Sequence, residues 1–164
     1  MMLGALSVEP RGDREIVVTR QFNAPRALVW RALTEPALVK RWLGVMPGWT
    51  FPVCEIDARV GGKYRYEWRN ENGTSMGMGG VFTECTPPER MVATELFDDP
   101  WYPGGAITTQ VLTEQGGKTL LTLTITYASK EARDGVAAGP AMGGLSSGYD
   151  LLDQLVQTLA KGGK

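Results

Sequence analysis

Lys63-Tyr64-Arg65-Tyr66-Glu67-Trp68-Arg69-Asn70, followed by Glu71-Asn72-Gly73 and then Thr74-Ser75-Met76-Gly77-Met78-Gly79-Gly80, is the stretch that decides the fold. Residues 63–69 alternate without a break. Successive side chains of a strand point to opposite faces. Tyr64, Tyr66 and Trp68 therefore share one face, and Lys63, Arg65, Glu67 and Arg69 the other. Glu71-Asn72-Gly73 reads as a three-residue hairpin loop closed by a glycine in the left-handed region. That loop length sets Asn70 opposite Thr74, Trp68 opposite Met76, Tyr66 opposite Met78 and Tyr64 opposite Gly80. A slip of one residue would move the methionines to the wrong face. The predicted hairpin has a charged face and a face of rings and thioethers, and the second must be covered by apolar surface.

Toward the C-terminus the strand continues through Phe82 to about Thr86, where Pro87-Pro88 ends it. Residues 90–97 form another strand, and residues 98–105 a Pro/Gly loop that carries Trp101 and Tyr102. Residues 107–114 and 119–127 make a last hairpin, with Leu121, Leu123, Ile125 and Tyr127 inward and Thr122, Thr124 and Thr126 outward. Ser129 or Lys130 opens a short helical region interrupted by Gly135, Gly139-Pro140 and Gly143-Gly144. Beyond it Met142, Leu145, Tyr149, Leu152, Val156 and Leu159 step by three and four, an apolar stripe along a long helix. Leu151 and Leu155 are expected to widen it, and Asp150 and Asp153 to lie on its solvated side.

Toward the N-terminus, residues 51–59 form a strand that turns at Gly61-Gly62. Asp57 and Arg59 are read as a structural salt bridge or turn anchor near Gly61-Gly62, with a catalytic carboxylate beside an Arg as the alternative. Asn23 and Pro25 suit the start of a helix running to Thr34. Leu38, Val39, Trp42 and Leu43 make a second short helix ended by Gly44. Residues 15–22, β-branched and alternating, are strand one. Residues 1–13, with Pro10 and Gly12, are expected to be a flexible tail, leaving 14–161 as one domain. The predicted class is α+β: a curved antiparallel sheet wrapped around a long C-terminal helix, with two short helices after strand one. The striped helix is the only element long enough to cover the sheet's apolar face.

Composition narrows the function. The chain has 164 residues, 43% hydrophobic and 21% charged, which suits a globular domain. Seventeen basic against eighteen acidic residues leave no positive excess for phosphates, so no nucleic-acid partner is expected. No segment has the roughly 20 apolar residues of a membrane span, and the N-terminus lacks a signal-peptide pattern. A cytoplasmic location is the default expectation. Cys54 and Cys85 read as free thiols buried inside strands. The chain has no histidine, which removes Ser-His-Asp and Cys-His catalytic units and His-ligated metal sites. Gly77-Met78-Gly79-Gly80 lacks the Lys-Ser/Thr ending of a phosphate loop. No catalytic motif, cofactor or metal is expected from these residues.

Several stretches, in order and at their intervals, carry a resemblance: Phe22-Asn23-Ala24-Pro25 with Val29-Trp30; Thr34-Glu35-Pro36 with Arg41-Trp42-Leu43-Gly44; Asp57-Ala58-Arg59-Val60-Gly61-Gly62-Lys63-Tyr64; Gly80-Val81-Phe82; Pro87-Pro88-Glu89-Arg90-Met91; Leu121-Thr122-Leu123-Thr124; and Tyr149-Asp150-Leu151-Leu152-Asp153-Gln154-Leu155. Together they resemble the activator-of-heat-shock-ATPase homologue family of the START-like (polyketide cyclase, birch-pollen-allergen) superfamily. The resemblance implies the helix-grip fold and a hydrophobic cavity, but no single activity, since members include lipid carriers, cyclases and co-chaperones. The family's co-chaperones carry an additional domain for which these residues leave no room, so a chaperone partner is not expected.

The candidate ligand-binding residues are Trp42, Tyr64, Tyr66, Trp68, Met76, Met78, Phe82, Trp101, Tyr127, Met142, Leu145 and Tyr149. Each is equally a core residue type, and plain packing competes with a cavity at every position. Methionines suit a guest of variable shape. Trp101 and Tyr102 suit either a lid or cover for the sheet edge. Tyr149 is the best single polar contact within a cavity. The expected partner is a small apolar or aromatic molecule. A homodimer stays open as an assembly. The alternatives are a cyclase- or hydrolase-type enzyme using Tyr or carboxylate groups, and a chaperone-ATPase-stimulating protein. A polar residue in the cavity with a perturbed pKa would favour the enzyme.

Overall fold

The computed structural model describes residues 2–3 and 5–162. Its strands are β1 (Met2–Leu3), β2 (Leu6–Arg11), β3 (Glu15–Phe22), β4 (Trp49–Ile56), β5 (Lys63–Asn70), β6 (Ser75–Thr86), β7 (Arg90–Phe97), β8 (Ala106–Gln115) and β9 (Lys118–Tyr127). The helices are α1 (Arg26–Thr34), α2 (Pro36–Val39), α3 (Lys130–Ala138) and α4 (Ala141–Ala160). All neighbouring strands are antiparallel, in the order β1-β2-β3-β9-β8-β7-β6-β5-β4. The sheet curves around α4 in a helix grip, the fold class expected from the sequence.

The β5–β6 register is the predicted one: Trp68 pairs with Met76, Tyr66 with Met78 and Tyr64 with Gly80. Gly73 closes the loop at φ +92°, the left-handed region open to glycine, and the Asn70 amide donates to the Thr74 carbonyl. Gly80 answers a different need. A Cβ there would lie 1.9 Å from the Thr94 carbonyl oxygen, so only glycine lets β6 pass this close to β7. A register shift between Phe82 and Glu84 bends β6 further.

The first residues depart from the expectation of a flexible tail. Leu6–Arg11 pairs with β3 from Ser7↔Thr19 to Arg11↔Glu15, and Leu6 and Val8 are buried. Leu6-Ser7-Val8 is an alternating run, and Pro10 is tolerated near the rim of the sheet. As a result α1 and α2 follow the third strand, not the first. β4 starts and ends two to three residues earlier than predicted, leaving Asp57 and Arg59 in a turn, where they form an exposed ion pair.

The helical stripe holds with two changes. Leu155 is buried, but Leu151 is exposed. Asp153, expected in solvent, is buried: it accepts from the Asn23 amide, the Asn23 side chain and Gln157. Buried Arg20 on β3 donates to Asp150 at 2.9 Å and lies 5.2 Å from the Phe22 ring centre. These contacts fasten the middle of α4 to β3 and to Asn23 just beyond it. Cys54 and Cys85 are free and half-buried, less enclosed than expected.

Candidate functional site

Between the sheet and the first half of α4 the structure holds a cavity of about 270 Å³. Its walls follow from strand alternation. β5 contributes Tyr64, Tyr66 and Trp68, and β6 contributes Met78 and Phe82. Met91, Ala93, Glu95 and Phe97 come from β7, Thr108 and Gln110 from β8, and Leu123, Ile125 and Tyr127 from β9. The helix adds Ala141, Met142, Leu145 and Tyr149, each one turn or less from the next along the stripe. Trp42, Leu33 and Leu43 seal one side.

Eleven of the twelve residues proposed from sequence therefore meet on one surface. Met76 does not: it lies half-buried beyond the cavity, near the tip of the β5–β6 hairpin. Trp101 lines the hollow while 56% exposed, which places it at the rim where the cavity meets solvent. Tyr102 turns inward and is buried. The rings form a continuous set of contacts: Phe97–Trp101 at 4.5 Å, Trp101–Tyr102 at 5.2 Å and Tyr102–Tyr127 at 5.2 Å between centres. The last two are edge-to-face, the favoured geometry for aromatic pairs.

Polar groups around the cavity are few and differently committed. The Trp42 indole donates to the Ala32 carbonyl at 2.8 Å, and the Trp68 indole to the Leu43 carbonyl at 3.1 Å. Both N–H groups thus anchor the α1–α2 segment, and the rings offer apolar surface to the hollow. The Tyr64 hydroxyl donates to the Thr94 carbonyl at 2.7 Å. Among the described residues every fully buried side-chain polar atom has a partner. The chain's five tyrosines, at 64, 66, 102, 127 and 149, all line this one space. Burial pushes all five phenols well above the usual range, so they remain neutral hydroxyls.

Sequence reasoning missed Glu95. Its carboxylate reaches into the cavity and accepts from the Tyr102 hydroxyl at 3.3 Å. Desolvation raises its pKa, and the Tyr102 hydrogen bond opposes this only in part. Glu95 is half-buried and lines the hollow. It is the one ionisable carboxyl in the wall, and the wall has no Lys or Arg. The signal was present in the sequence: Met91, Ala93, Glu95 and Phe97 fall on one face at period two. No group of three or more His, Cys, Asp or Glu side chains able to hold a metal ion occurs among the described residues. No helix among them is long and apolar enough to cross a membrane.

Comparison with known proteins agrees with the geometry. No curated protein matches the chain. A solved structure from Rhodobacter sphaeroides is 30% identical, with a TM-score of 0.88 over 94% of this chain and 99% of that one. One from Chromobacterium violaceum is also 30% identical, with a TM-score of 0.71 over 87% of this chain and 97% of that one. An AHSA1-like protein from Aeromonas hydrophila shares the fold at 18% identity and a TM-score of 0.65, over 87% of this chain and 93% of that one. Residues 23–157 match the profile described as Activator of Hsp90 ATPase homolog 1-like protein, a span that includes every wall of the cavity. The chain belongs to the Activator of Hsp90 ATPase homolog 1-like family, within the START-like superfamily.

Proposed function

We propose that this protein binds a small hydrophobic or aromatic molecule between the sheet and the first half of α4. One observation carries the reading: a ring-lined hollow of about 270 Å³ lies between the sheet and α4. Protein interiors rarely leave spaces larger than a water molecule. A cavity of roughly 150 Å³ is enough to admit benzene, so this one accommodates a ring with a short substituent. Desolvation of the guest supplies the affinity, and the tyrosine hydroxyls and Glu95 supply orientation. Trp101 at the rim suits a gate over the entrance.

A thermal-shift screen of lipids and aromatic metabolites tests this. A guest at 100 times its Kd stabilises the native state by about 2.7 kcal/mol, a rise of several degrees for a chain this size. Leu145→Trp, which fills the hollow from the helix side, should abolish the shift. A screen without hits, or hits unaffected by Leu145→Trp, would count against the reading.

Glu95 favours a second reading, an enzyme of the cyclase or hydrolase type. A desolvated carboxyl with raised proton affinity, hydrogen-bonded to Tyr102, suits acid–base work on a bound guest. Turnover of a guest found in the screen, lost in Glu95→Gln with binding retained, would establish it; binding without turnover would leave the carrier. The chaperone-stimulating reading would need a large exposed apolar patch; Leu96 and Ile107 are diagonal neighbours on β7 and β8, but Leu120 pairs with Thr113, six residues along β8 from Ile107.

A further inference from the structure

We infer that the guest is a cation: an apolar, ring-bearing amine whose ammonium group lies against the Glu95 carboxylate among the tyrosine rings. This rests on the cavity being a binding site, and it deepens that reading by naming the charge of the ligand.

The wall's charge is lopsided. It holds one carboxylate, no Lys and no Arg. The cations on the surrounding strands are engaged elsewhere: Arg90, on β7 with Glu95, pairs with Glu84. Arg65 lies on the opposite face of β5 and pairs with Asp98 and Glu67. Arg20 on β3 pairs with Asp150 and Asp153. Among the described residues Glu95 accepts one side-chain hydrogen bond, from the neutral Tyr102 hydroxyl at 3.3 Å. A carboxylate in an apolar hollow is costly unless a counter-charge accompanies it. A guest that brings the counter-charge removes that cost on binding.

The rings point the same way. Faces of Trp, Tyr and Phe attract an ammonium within about 6 Å, and the attraction grows when water is excluded. Tyr102, the hydrogen-bond donor to Glu95, meets Tyr127 edge to face, and Trp101 and Phe97 continue the wall. An anionic guest would meet a like charge here and no cation. A neutral guest would leave the Glu95 carboxylate as poorly solvated as before. A volume of about 270 Å³ fits one ring and a short amine-bearing chain, and excludes a long acyl tail.

The test uses four probes of one shape: 3-phenylpropylamine, 3-phenylpropan-1-ol, propylbenzene and 3-phenylpropionate, titrated calorimetrically into the full chain at neutral pH. The amine is expected to bind at least tenfold more tightly than the alcohol or the hydrocarbon, and the carboxylate most weakly. Glu95→Gln should cost the amine at least tenfold and leave propylbenzene within about twofold. Tyr102→Phe, which removes the competing donor, should keep the amine preference. If the alcohol or hydrocarbon binds as tightly as the amine, the cation assignment falls and the cavity reading stands. If none of the four binds, both fall. The comparison among probes on the unaltered chain decides the matter even if Glu95→Gln does not fold.

Discussion

The two halves of α4 look alike in sequence and behave differently in the fold. In the second half Leu152 and Val156 have no accessible surface and Leu155 is buried, and none of them touches the cavity. In the first half Met142, Leu145 and Tyr149 carry the same stripe but face empty space. β9 repeats the division. Leu121 is fully buried and outside the cavity wall, whereas Leu123, Ile125 and Tyr127 line it. One end of the grip is therefore a core and the other a container. The packed end is also where Arg20, Asn23, Asp150 and Asp153 tie helix to sheet. The hydrogen bonds and ion pairs between helix and sheet are thus gathered at the packed end.

The largest effect that can sharpen this contrast is a pair of truncations. Leu152→Ala should cost about 2–5 kcal/mol, since it opens a void in a closed core. Leu145→Ala should cost about 1 kcal/mol or less, because its side chain already borders a void and is half-exposed. Urea unfolding of both variants measures the difference, and equal losses would break the comparison. Asp153→Ala should cost about 1–3 kcal/mol by stranding the Asn23 donors it satisfies. The exposed Asp150→Ala should cost less. Enlargement reverses the logic. Leu121→Phe should destabilise by about 1–3 kcal/mol through overpacking, while Leu123→Phe should be close to neutral and should weaken guest binding.

The smallest effect concerns Glu95, and its sign is definite. Its folded pKa lies above the ordinary glutamate value, so the folded state binds the extra proton. Its contribution is fully present below about pH 4.3, the unfolded value, and is lost as pH rises through the folded pKa. The tyrosines around it titrate far above this window and do not contribute. Glu95→Gln should remove that downward slope, giving a variant more stable than wild type at neutral pH. Unfolding free energies measured across the acid range check it. Parallel curves would show that Glu95 is not desolvated.

The container was partly legible in the sequence. The ring-bearing hairpin could be read because period two and one glycine turn fix its register locally, and the helix stripe could be read for the same kind of reason. The β2 strand was obscured by Pro10 and Gly12, although Leu6 and Val8 alternate within it. Asp153 looked solvated because its partner, Asn23, lies 130 residues away on another element. Glu95 was hidden by its charge: a carboxylate reads as outward even where strand alternation turns it inward. The hollow itself has no local signature. Whether Leu145 and Ile125 interlock or stand apart depends on how far Gly80 and the β6 irregularity bend the sheet, which is a property of the assembled fold.

The most direct test is a crystal of the protein soaked with iodobenzene, whose iodine can be located by anomalous scattering. An iodine peak enclosed by Tyr66, Ile125, Tyr127 and Leu145, with the Leu152–Val156 end undisturbed, is the predicted result. Those four side chains in mutual contact with no iodine between them would contradict the account.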